Sequence, residues 1–211
     1  MLIGNRKIIL SVASSQIVAA LYSRMTILTI GAVFGPVEAG YYALADRIAA
    51  APAAVSAAIG DVHRQQAAQV YFDGKNFSGT MINVLILTMS ISLIPFSIVI
   101  YFAPSYMGLF FGTEWQPAAF SMIVMLCGAL IGFNSNPIDK ASVIVGAHRY
   151  MISWQVMRLI ADAVPAGCAI AGWLGYESYL VMSVAGRSLL YVFDTVMGFV
   201  FASRVEPKAT K

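Results

Sequence analysis

The stretch Ser78–Phe102, SGTMINVLILTMSISLIPFSIVIYF, holds no lysine, arginine, aspartate or glutamate. A helix needs about 20 predominantly apolar residues to cross a hydrocarbon core about 30 Å thick, and this run is longer than that. Pro95 stands in its interior, a position that membrane helices tolerate when neighbouring groups satisfy the carbonyl left free. The stretch predicts a transmembrane helix, and its neighbours on both sides are then read as parts of a membrane protein.

Five further apolar stretches flank it. Upstream, the first covers about residues 8–34 and ends at the turn GPVEAG (35–40), where Gly35, Pro36 and Gly40 punctuate the chain. An alanine-rich second stretch over about 41–59 runs into the polar segment DVHRQQAAQVYFDGKN (61–76). Downstream of the loop APSYMGLFFGTEWQ (103–116), the stretches cover about 117–147, bent at Pro137, then 150–172 and 176–202. The expected fold is all-α: a polytopic bundle of about six transmembrane helices. Residues 1–203 form one lobe, and residues 204–211 a polar cytoplasmic tail.

Composition agrees and excludes other classes. Hydrophobic residues make up 59% of the 211, charged residues 11%, and the mean hydropathy is +0.77, against about 25% charged in ordinary soluble domains. A net charge of +3, dispersed along the chain, is too weak for a nucleic-acid footprint. Cys127 and Cys168 lie in apolar runs without metal or CxxC spacing and predict buried packing. His63 and His148 read as solvated loop residues. No GxSxG, Walker or HExxH pattern occurs, so neither enzyme activity nor a cofactor or metal is expected. The first segment lacks a cleavage site and is expected to remain as a helix.

Charge is divided between alternate loops. One set of loops and ends carries Arg6, Lys7, Arg64, Lys75, Arg149, Arg204, Lys208 and Lys211; the other carries Glu38, Glu114 and Glu177 and no base. Lysine and arginine stay on the cytoplasmic side, which predicts a multi-pass protein with both termini in the cytoplasm. Tyr41, Tyr42, Trp115, Trp173 and Tyr176 are assigned to an outer aromatic belt, and Tyr71, Tyr150 and Trp154 to an inner one.

Nine charges remain inside apolar stretches: Arg24, Asp46, Arg47, Asp139, Lys140, Arg158, Asp162, Arg187 and Asp194. At about 2.5–3.5 kcal/mol each on insertion scales, they are expected to face protein, water or each other. Arg158 and Asp162 are four apart on one helical face and Arg187 and Asp194 seven apart, which suggests pairing along each helix. Asp139 and Lys140 are read as snorkelling at the inner interface. Arg24, Asp46, Arg47, Arg158 and Arg187 are the candidate cavity-lining, substrate-binding residues. Guanidinium forks match phosphate oxygens in pairs, and five bases against four acids suit an anionic substrate. Asp46, Asp162 and Asp194 are the candidates for carrying a coupling ion. The run ALADRIAAAPAAVSAAIG (43–60) supplies the small side chains that membrane helix contacts require.

Three segments in order, GPVEAGYYALADRIAAAP (35–52), LFFGTEWQPAA (109–119) and NSNPIDKASVIVGAHRYMISWQVMR (134–158), carry a resemblance. Their G-Y-Y-x-x-A-x-R, F-G-x-x-W and N-P-x-D steps resemble the carboxy-terminal half of bacterial polysaccharide (O-antigen or exopolysaccharide) flippases of the multidrug/oligosaccharidyl-lipid/polysaccharide exporter superfamily. The resemblance implies a two-lobed inner-membrane transporter of twelve or more helices with a cationic central cavity. Its substrate would be an undecaprenyl-pyrophosphate-linked oligosaccharide for lipopolysaccharide or exopolysaccharide biosynthesis, moved between leaflets by alternating access. Its partners would be membrane lipid and the lipid-linked oligosaccharide. The length matches one lobe, so a truncated or half-length form is expected, with an amino-terminal lobe missing or supplied as a second subunit. Two other readings stay open: a lobe of a cation-coupled drug exporter, and a non-transporting membrane fragment or assembly subunit.

Overall fold

The computed structural model describes residues 24–139 and 141–203, without the side chains of residues 148, 149, 151 and 152. Lys140, the tail 204–211 and the first part of the first predicted helix, with Arg6 and Lys7, lie outside the described residues. Every regular element among those described is helical. In chain order they are α1 (Arg24–Val33), α2 (Pro36–Ala50), α3 (Ala53–Phe72), α4 (Phe77–Tyr106), α5 (Ala118–Ser135), the short α6 (Ala141–Ile144), α7 (His148–Ile170) and α8 (Tyr176–Ser203). A π turn over Met107–Phe111 and a 3-10 turn over Thr113–Trp115 join α4 to α5.

Helices α2 and α3 form one span, Pro36–Phe72, interrupted only at Ala51–Pro52. At 1.5 Å per residue, 37 residues reach about 55 Å. The helix therefore continues well past Ile59, through the segment that its polarity marked as a loop. Four spans are long and apolar enough to cross a membrane: Pro36–Phe72, Phe77–Phe111, Ala118–Ser135 and Tyr176–Ser203. Helix α7 has the length, 23 residues, but carries Arg158 and Asp162 in its middle.

Local chemistry sets the boundaries. Asn76 caps α4, its Oδ1 accepting from the Gly79 backbone N–H at 2.8 Å. Gly74 and Gly172 take positive φ of 67° and 78° and close α3 and α7 in Schellman turns. In the second turn, Gly172 N–H donates to Ala169 and Trp173 N–H to Cys168. The predicted bend at Pro137 is a full break, because residues 136–139 form a turn and α6 follows. Pro137 cannot donate to the Phe133 carbonyl, and the Ser56 hydroxyl of α3 donates there instead at 2.7 Å.

The bundle is patterned for lipid. Along α4, Ile82, Ile86, Leu93 and Ile94 are exposed while Thr88 and Ser92 are buried. The two buried hydroxyls face protein, where Asn134 Nδ2 donates to Ser92 Oγ at 3.1 Å, and most of the large aliphatic side chains of α4 are exposed. Helix α5 is the most enclosed of the four apolar spans. Its Ala119, Met122, Leu126 and Phe133 join Tyr42, Ala45 and Ala49 of α2, Phe96 of α4 and Leu180 and Val184 of α8 in one core. Cys127 is exposed and Cys168 half-buried, so Cys127 is not packed in the core as its apolar run predicted.

The two charge classes of loop separate to opposite ends. At one end the Tyr41 hydroxyl donates to the Glu114 carbonyl and its ring meets Trp115, Phe34 packs on Tyr176, and the Ser121 and Tyr176 hydroxyls bond at 2.7 Å. Glu38, Glu114 and Glu177 belong to this end. At the other, Ala67, Phe77, Met81, Ile138, Ala141 and Ala202 form a second cluster, and Arg64 and Lys75 pair with Asp61 and Asp73. His63 belongs to this end too but is buried, not solvated as its position suggested, because α3 packs against α4 and the turn after α5.

Candidate functional site

Helices α2, α3, α5, α7 and α8 enclose a cavity of about 390 Å³. Small side chains make the space: Ala49, Ala50 and Ala53 on α2 and α3, and Gly128, Ala129 and Gly132 on α5. The α5–α8 contact is so close at Gly128 that a Cβ there would lie 2.6 Å from Val184 Cγ1. Five charged residues line the cavity: Asp46 from α2, Asp139 from the turn after α5, Arg158 from α7, and Arg187 and Asp194 from α8.

Of the candidate residues, Asp46, Arg158, Arg187 and Asp194 are thus brought together in one lining. Arg24 and Arg47, exposed like Asp46, stand outside the lining. Adjacent residues on a helix point about 100° apart, and of Asp46 and Arg47 only the former reaches the cavity. Asp139 was assigned to the inner interface but lines the cavity instead, because the break at Pro137 turns the chain inward.

The pairing follows tertiary rather than helical neighbours. Arg187 Nε donates to Asp162 Oδ1 at 2.8 Å, joining α8 to α7. This corrects the pairing of Asp162 with Arg158. Asp162 is 2% exposed and directed at α8, whereas Arg158, one turn earlier, faces the cavity. Arg187 also donates to the Thr26 hydroxyl of α1, and the Tyr42 hydroxyl of α2 stands beside both. Four helices therefore meet at one guanidinium. Tyr42 is buried in this group and does not belong to an aromatic belt. Asp194 accepts from the Tyr150 hydroxyl at 2.6 Å, and Trp154 lines the cavity, so two residues assigned to the inner belt serve the site.

Within the lobe the lining is of mixed charge. Asp46, Asp139 and Asp194 face Arg158 and Arg187, and Asp162 lies behind Arg187. Thr26, Tyr42, Asp139 and Tyr150 escaped sequence reasoning as site residues; the N-P-x-D step was the one signal that pointed toward any of them. Among the described residues no group of His, Cys, Asp and Glu could hold a metal ion.

Buried ions inside a bundle of apolar helices define a polytopic membrane protein built around an intramembrane polar cavity. The chain belongs to the polysaccharide biosynthesis protein family, whose model matches residues 7–120, and its role lies in polysaccharide biosynthesis. The match takes in α1 to α4 and Asp46, while Arg158, Asp162, Arg187 and Asp194 lie beyond it. Comparison with curated proteins and with solved structures gave no match.

Proposed function

We propose that this chain is a transport lobe that flips an undecaprenyl-pyrophosphate-linked oligosaccharide across the bacterial inner membrane, without catalysing a reaction. The observation that carries the proposal is the convergence of Arg158 and Arg187 on one cavity within the apolar span. Two guanidiniums from neighbouring helices suit a diphosphate, which offers paired acceptor oxygens to each. The carboxylates of Asp46, Asp162 and Asp194 fit the other half of such a cycle, carrying a proton or cation in exchange. Arg24 and Arg47 support a second lobe or subunit. Exposed on helices that lipid would otherwise surround, each would cost about 2.5–3.5 kcal/mol unless a partner or water covers it.

The test is Arg158→Ala in the intact export system of a host lacking its own copy, with surface polysaccharide and membrane protein level both measured. Export falls at least roughly tenfold at unchanged protein level, matching the loss of about 1.4 kcal/mol or more of head-group binding. Full export by the variant would sink the assignment. The three lining carboxylates favour a second reading, a cation-coupled exporter of organic cations. It predicts that Asp46→Asn raises sensitivity to such cations and leaves surface polysaccharide intact.

A further inference from the structure

Beside the ionised cavity lies an apolar one of about 230 Å³, between the α2–α3 break, α4 and α5. Ile48, Ala51 and Val55 line one side, Ile91, Pro95 and Val99 another. Its one polar neighbour, Ser92, is already engaged by Asn134. Pro52 and Phe133 line both cavities, so a single wall two residues wide divides them. That wall is held in place: the Ser56 hydroxyl bonds the Phe133 carbonyl, and the Phe133 ring meets Phe96 edge-on at 6.0 Å. Val55 and Ile91, at the rim of the apolar cavity, are about half exposed (53% and 46%), so the groove opens toward lipid.

We infer that this groove receives the polyprenyl chain of the substrate while its diphosphate occupies the ionised cavity, with Pro52 and Phe133 as the sill between them. The inference rests on the flippase reading above. An amphiphile whose head enters a cavity inside a lobe must lead its chain back to lipid, and a chain crossing Asp46, Arg158 or Asp194 would strip water from those ions. The groove offers an apolar exit that touches the cavity directly. It adds little hydrophobic driving force, since lipid tails are as apolar as its walls. Its contribution is shape, a slot lined by Pro52 and Pro95 that admits a methyl-branched chain.

The experiment has two arms on the full chain in nanodiscs. Geranyl diphosphate, too short to fill the groove, reports head binding through Trp154 fluorescence in a Trp115→Phe, Trp173→Phe background. A photoreactive phenylalanine analogue placed at Val55, at Ile91 or at lipid-facing Leu189 reports capture of labelled undecaprenyl diphosphate. Capture at Val55 and Ile91 several-fold above Leu189, competed by unlabelled undecaprenyl diphosphate and not by phosphatidylglycerol, is the expected result. Ala51→Phe, which fills the slot, abolishes that excess and leaves geranyl diphosphate binding unchanged. Even labelling at all three positions, or equal competition by phosphatidylglycerol, with geranyl diphosphate still bound, overturns the groove alone. Failure of geranyl diphosphate to bind overturns the cavity reading, and the groove with it.

Discussion

Arg187 illustrates how a single ion is kept inside a membrane protein. Its guanidinium spends donors on Asp162 and Thr26 while it also lines the cavity, so it serves structure and site together. Arg158 lines the cavity one turn before Asp162. Removing one member of a buried pair strands the other, at a cost of about 3–5 kcal/mol. Asp162→Ala and Arg187→Ala are therefore expected to lower the thermal unfolding midpoint in detergent strongly. Asp162→Asn retains an acceptor and loses less. Equal midpoints for Asp162→Ala and wild type would show that the pair holds nothing together. Which positions carry charge inside apolar stretches was readable from the sequence, as was the need for partners. Who partners whom was not, because Asp162 meets Arg187 across 25 residues of chain and helical spacing sees only one helix. His63 and Cys127 failed for the same reason: local polarity says nothing about which helix face meets protein and which meets lipid.

At the scale of helices, the cavity exists because α5 is thin where it meets α8. Gly128 stands against Val184, and a Cβ would approach its Cγ1 to 2.6 Å. At Gly132 a Cβ would lie 3.4 Å from the Tyr191 ring, an ordinary contact, so the tight point is Gly128 alone of the two. A larger residue at 128 must push α8 away or force Val184 from its rotamer, and overpacking of this kind costs about 1–3 kcal/mol. Gly128→Ala is expected to lower stability by that amount, and Val184→Ala in the same chain to recover most of it. A double-mutant cycle on unfolding midpoints measures the coupling, and additive effects would mean that the two side chains do not compete for one space. Apolar runs and turn glycines made most helix limits readable within a few residues, as with α8, expected over 176–202 and found over Tyr176–Ser203. The exceptions have physical causes. α3 runs past its apolar part because a helix needs no lipid to continue once nucleated. The stretch over 117–147 hides a break because the residues after Pro137 stay apolar while changing direction.

At the scale of the whole molecule, the separation of charge between the two ends makes a claim about orientation that is testable without any transport assay. Glu114 and Trp173 lie at the end with acidic loops, Arg64 and Lys75 at the end with basic ones. The division was visible in the sequence as alternation between successive loops, and the bundle preserves it, since contacts such as Tyr41 with Trp115 and Tyr71 with Phe77 tie each set of loops together. Retention of lysine and arginine on the cytoplasmic side predicts Trp173 outside and Lys75 inside. In a chain with Cys127→Ala and Cys168→Ala, Trp173→Cys is expected to react with a membrane-impermeant maleimide on intact cells. Trp173 is 79% exposed, so access is not limiting. Lys75→Cys, also at an exposed position, reacts only after the membrane is opened. The opposite pattern would invert the lobe, turn the basic end outward, and place the Arg64–Asp61 and Lys75–Asp73 pairs on the side where the positive-inside rule gives them no reason to be. Since both substitutions lie in turns away from the cavity, the labelling reads orientation alone, and it stands whether or not the chain moves a lipid.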